Sequence, residues 1–65
     1  MRTINAKTGA EVSEGDTVVD FRGESAVFLS ATRAPMPGKS GKVLVDLDGV
    51  QREFYESVYD LRVEG

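Results

Sequence analysis

From residue 42 to residue 55 the chain reads KVLVDLDGVQREFY, two alternating runs that meet at Asp48-Gly49. Alternation at period two sends successive side chains to opposite faces of a sheet. Asp-Gly supplies the positive φ that a type I′ turn needs at both central positions, so the two runs are expected to fold back on each other as a tight hairpin. In the first run Val43, Val45 and Leu47 face inward, with Lys42, Asp46 and Asp48 outward and Leu44 the exception. In the second, Val50 and Phe54 take one side and Gln51, Glu53 and Tyr55 the other.

Upstream, residues 17–22 (TVVDFR) place Val19 and Phe21 on one face and Asp20 and Arg22 on the other, which predicts a strand with one buried side. Gly23-Glu24 closes it. Residues 25–32 are apolar on both faces in their middle, at Ala26, Val27, Phe28 and Leu29, as expected of a central strand covered on both sides. The turn signal Lys7-Thr8-Gly9 separates two short segments, so residues 1–12 read as a small hairpin or an extended arm. Residues 56–60 are too short for an α-helix and break the alternation, which predicts one 3₁₀ turn with Val58 inward, before a last strand inward at Leu61 and Val63.

With turns at short intervals and no helix of two turns, the fold class is all-β. Open edges in so short a sheet are a liability that closure into a barrel removes. The expected architecture is a small five-stranded SH3-like barrel with one 3₁₀ turn before the last strand. Its expected core comprises Val19, Phe21, Val27, Leu29, Val43, Val45, Leu47, Phe54, Val58 and Leu61. At 65 residues it is a single domain spanning 1–65, and a chain of this size buries only about 60% of its unfolded surface.

The chain has no cysteine and no histidine, which excludes the thiolate and imidazole ligands of structural zinc sites. No metal or other cofactor is expected. No apolar run approaches the roughly 18 residues of a membrane helix, so a soluble, cytoplasmic protein without membrane contact is expected.

Charge is unevenly placed. Residues 32–43 (TRAPMPGKSGKV) hold three of the eight Lys and Arg, and no carboxylate occurs anywhere from Ser25 to Val45. Two prolines and two glycines in that stretch exclude a helix, so it is a cationic loop on an otherwise acidic body, and it offsets half of that body's charge to leave the whole chain at a net −3.

Several stretches, Gly15-Asp16-Thr17-Val18, Asp20-Phe21-Arg22-Gly23-Glu24, Arg33-Ala34-Pro35, Pro37-Gly38-Lys39-Ser40-Gly41-Lys42-Val43 and Tyr55-Glu56-Ser57-Val58-Tyr59-Asp60-Leu61, resemble a group of small uncharacterised proteins encoded by bacteriophages of actinobacteria. The resemblance covers most of the chain from Gly15 onward and implies no activity. The Gly-Asp-x-Val start and the 3₁₀ turn also look like features of SH3, KOW and Tudor barrels, an architecture that implies binding rather than catalysis and fixes no ligand.

Gly38-Lys39-Ser40 lacks the P-loop's first glycine, which would stand at Arg33, and runs into a strand instead of a helix, so a nucleotide-hydrolysing loop is excluded. The residues 37–41 retain the composition of a smaller anion-binding nest, although such a turn is more often merely a turn. Asp46-Leu47-Asp48-Gly49 has its glycine fourth, not sixth, and Ser57 where a calcium loop needs glutamate, so the hairpin turn explains it better. Without histidine or cysteine, Ser25, Ser40 and Ser57 have no base at a recognisable spacing, and carboxylates on solvated strand faces keep ordinary acidity. The chain is therefore expected not to be an enzyme.

What remains is binding. The expected site is Arg33, Pro35, Met36, Pro37, Lys39, Ser40 and Lys42, in which prolines stiffen an apolar tip between cations, suited to a protein partner with an acidic patch. The alternative is a weak nucleic-acid module of SH3 or KOW type, with the same cations, and Arg22 if nearby, on phosphates and Tyr55, Tyr59 or Phe21 stacking on bases. Against both stands the plainer reading that exposed cations keep a loop soluble and tyrosines pack a small barrel.

Overall fold

A computed structural model describes residues 2–32 and 40–64. They form an all-β structure of seven strands: β1 (Arg2–Asn5), β2 (Glu11–Val12), β3 (Thr17–Val19), β4 (Ser25–Thr32), β5 (Lys42–Leu47), β6 (Val50–Tyr55) and β7 (Leu61–Glu64), with a 3₁₀ turn at Glu56–Tyr59 before the last. Two antiparallel sheets result, ordered β2-β1-β7 and β3-β4-β5-β6. The expected five-stranded barrel is therefore corrected in strand number and in closure. Residues 2–12 fold as a hairpin, with Thr3 opposite Val12, and β1 also pairs along β7, so the N-terminal segment builds a second sheet. In the larger sheet β3 and β6 are left as the edges. No helix among the described residues is long and apolar enough to cross a membrane.

The hairpin of β5 and β6 forms as its sequence dictates. Asp48 and Gly49 have φ of +53° and +84°, the left-handed pair of a type I′ turn, and the Gly49 amide donates to Asp46 Oδ1 at 2.7 Å. Lys42 stands opposite Tyr55 and Leu47 opposite Val50.

The core lies between the sheets and consists of Val18, Ala26, Phe28, Val43, Val45, Tyr59 and Leu61, with Val43 and Val45 wholly buried. The expected burial of Val43, Val45 and Leu61 holds, while Leu47, Phe54 and Val58 are partly buried against this cluster. Three expected core residues are instead exposed: Val19 at 50%, Phe21 at 79% and Val27 at 40%. Leu29 is intermediate.

Two local devices cause these differences. Strand β3 ends at Val19, not Arg22, because Asp20 turns inward and its carboxylate accepts the amides of Arg22 and Glu24 at 2.8 and 2.9 Å. Those bonds, with Gly23 at φ +85°, make a tight turn into β4, so Val18 and Asp20 point in and Val19 points out. In β4 the register slips between Phe28 and Ser30, leaving Leu29 as an extra residue. Before this bulge the even positions Ala26 and Phe28 face the core; after it the inward residue is Ala31, opposite Val43. The run of apolar residues at 26–29 is thus a change of parity, not a strand covered on both faces.

Candidate binding surface

Of the expected site, Arg33, Pro35, Met36, Pro37 and Lys39 lie outside the described residues; Ser40 and Lys42 lie within them and are exposed. Lys42 opens β5 and faces outward beside Tyr55, with Nζ 5.5 Å from the ring centroid. It also stands 3.8 Å from Glu53 Oε1, a solvated pair in which both side chains are about half exposed. Such pairs are worth about 0–1 kcal/mol and open readily to a competing partner. Tyr55 is 57% exposed, so this corner offers an aromatic face and a cation.

A clasp positions the corner. Glu56 donates its amide to the Gly41 carbonyl at 3.0 Å, while its carboxylate accepts from the amides of Gly41 at 3.3 Å and Val63 at 2.6 Å. One side chain thereby ties the start of β5 to β7. Gly41 fits because it has no Cβ; one placed there would stand 2.9 Å from the Thr32 carbonyl oxygen and 3.2 Å from the Val63 side chain.

Tyr59 does not serve as a stacking residue. It is 3% exposed and packs edge-on against Phe54 at 5.6 Å between centroids. Burial raises its hydroxyl pKa, and the nearby carboxylates of Asp20 and Glu24 raise it further against the opposing effect of Arg22. Arg22 is not beside Lys42 either. The turn that carries it joins the start of β4, whereas the segment leaves from the end of that strand, roughly 20 Å away along its length. The Arg22 guanidinium lies 3.4 Å from Asp20, 3.6 Å from Glu24 and 5.7 Å from the Phe21 ring centroid.

That far end carries a surface the alternation pattern did not disclose. Thr17 pairs with Val27 and Val27 with Asp46, so the three share the outer face of the sheet, and Val19 joins them opposite Ser25. Thr17, Ser25, Val27, Asp46 and Asp48 line a depression of about 320 Å³. A second, of about 560 Å³, continues past Ser25 and Asp48 to Glu24. Around the corner, Val19 and Phe21 face Ser57 and Val58 across a groove of about 250 Å³. The signal for this surface was Asp20: an aspartate three residues before a glycine is a turn former, and a turn there reverses the facing of Val19 and Phe21.

The chain matches no family model, no curated protein and no solved structure.

Proposed function

We propose that this protein is a non-enzymatic binding module that docks on a protein partner with an acidic patch through its cationic segment, residues 33–42. The observation that carries this reading is the Lys42–Tyr55 corner, which sets a cation and a half-exposed aromatic ring at the base of that segment. Aromatic residues and arginine are enriched where proteins meet, and charge complementarity steers such partners together. The order of hairpin, 3₁₀ turn and last strand supports reading the two sheets as an opened SH3-like arrangement. The sequence resemblance supports a phage-encoded adaptor acting in the host cytoplasm on a host or phage protein.

A pull-down from host lysate with the wild type and with R33A/K39A/K42A tests the reading. Loss of specific partners from the variant is expected; identical partner sets would contradict it. Nucleic acid is the weaker ligand, because with Tyr59 in the core one of the expected stacking residues is removed. Labelled DNA or RNA that bound at low salt and was released steeply as salt rose would favour it instead.

A further inference from the structure

We propose that the open edge of β6 is a second docking site, for an extended peptide of another protein that adds to the sheet as an antiparallel strand. The peptide carries an acidic residue with an apolar residue two positions away on each side. Every group the site uses lies among the described residues, so it stands apart from the segment 33–39.

Ladder parity decides which backbone groups are free. The pairs of β5 and β6 run from Lys42 opposite Tyr55 to Leu47 opposite Val50, and beyond the first of them the Glu56 amide donates to the Gly41 carbonyl at 3.0 Å. Bonded and non-bonded pairs alternate in an antiparallel ladder, so Val50, Arg52 and Phe54 turn their amides and carbonyls to β5, while Gln51, Glu53 and Tyr55 turn theirs outward. Strand β6 is the last of its sheet, and all of it but Phe54 is exposed. The other edges offer less. Strand β2 has two residues and β3 three, and on β7 the Val63 amide is already taken by Glu56 Oε2 at 2.6 Å.

The side chains of β6 state what the added strand must carry. Val50, Arg52 and Phe54 lie on the core side of the sheet, since Arg52 stands opposite the wholly buried Val45. Val50 is 53% exposed and Phe54 only partly buried, so both have apolar surface left to cover. Arg52 is exposed and has no ion-pair partner among the described residues. A carboxylate directly across from Arg52, with apolar side chains across from Val50 and Phe54, complements this side. On the other face Glu53 repels an acid placed opposite it, so the residue there is neutral or cationic.

A second copy of β6 does not meet these demands. Antiparallel self-pairing about a two-fold axis has two longest registers, centred on Arg52 and on Glu53, and each sets like charges directly opposite. The charges that oppose self-pairing are the ones that select a strand of different sequence. Strand addition of this kind draws its affinity from main-chain hydrogen bonds and its specificity from alternate side chains.

The probe is the end-blocked peptide TVKETV, whose glutamate falls opposite Arg52 when its lysine falls opposite Glu53. Titrated into the full chain, it is expected to slow hydrogen exchange at the amides of Gln51, Glu53 and Tyr55, while those of Val50, Arg52 and Phe54, already held by β5, change least. N-methylation of the peptide lysine, whose amide points at Glu53, is expected to weaken binding by about tenfold. N-methylation of the glutamate, whose amide points away from β6, is expected to leave affinity within about twofold. Arg52→Glu is expected to weaken binding by about threefold to fivefold and to regain it with the peptide TVKKTV.

Unchanged exchange at Gln51, Glu53 and Tyr55 at millimolar peptide overturns the proposal. An equal effect of the two methylations overturns it too, because a ladder distinguishes alternate amides. An R52E variant that binds both peptides alike removes the acidic requirement and with it the assigned partner. The lysate pull-down reads the cationic segment and this titration reads β6, so either surface can fail without the other.

Discussion

Asp20 shows how one side chain sets the facing of its neighbours. Burial by itself raises its pKa, but the amides of Glu24 and Arg22 and the Arg22 guanidinium outweigh that and hold it below its ordinary value of 3.8. A carboxyl depressed in the folded state stabilises the fold above the unfolded pKa, and that stabilisation is lost as pH falls through the folded one. Asp20→Asn keeps an oxygen to accept the two amides but gives up the charge. Urea unfolding should find it less stable than wild type at neutral pH, with the gap closing on the acid side of 3.8; a gap constant with pH would contradict the assignment. Tyr59 is the mirror case. Its folded pKa is raised above 10.0, so stability is full below that pH and declines as the pH climbs through the folded value. Tyr59→Phe should flatten this alkaline limb in a pH series of thermal unfolding. At Gly41 the constraint is space: a methyl group meets backbone oxygen at 2.9 Å, so Gly41→Ala should cost about 1–3 kcal/mol by denaturant titration.

Among the elements, those whose periodicity is undisturbed were legible in the sequence, and those where a device interrupts the period were not. The β5–β6 hairpin follows from Asp48-Gly49 and the alternation around it, and the 3₁₀ turn from the break at residues 56–60. Strand β4 misled because a bulge at Leu29 changes which parity faces inward, and its apolar neighbours on both sides hide the change. Strand β3 misled because Asp20 spends its carboxylate on backbone amides, so its inward turn reads in the pattern as an outward polar residue. The clasp at Glu56 was also hidden, since its partners Gly41 and Val63 are brought to it only by the tertiary fold. Removing the clasp leaves two part-buried amides without an acceptor; Glu56→Ala should lower stability by about 1–3 kcal/mol, and Glu56→Gln by less, in urea titrations read by circular dichroism.

For the whole molecule the consequence is polarity of charge and surface. Lys42, the last cation of the 33–42 segment, stands at one end of the β4–β5 pair, while Asp46, Asp48 and the exposed valines lie toward the other. Of the candidate site, the cations could be read from sequence, but not the surface opposite them, because that surface exists only if Val19 and Val27 point away from the core. The facing of β3 is accordingly the claim on which the rest depends. Val18 is 5% exposed and Val19 50%, so alanine at the two adjacent positions separates the possibilities. Val18→Ala should cost about 1–3 kcal/mol in a denaturant titration and Val19→Ala no more than about 0.5 kcal/mol. The reverse order, with Val19 the costly position, would put the exposed patch inside the molecule and contradict the account.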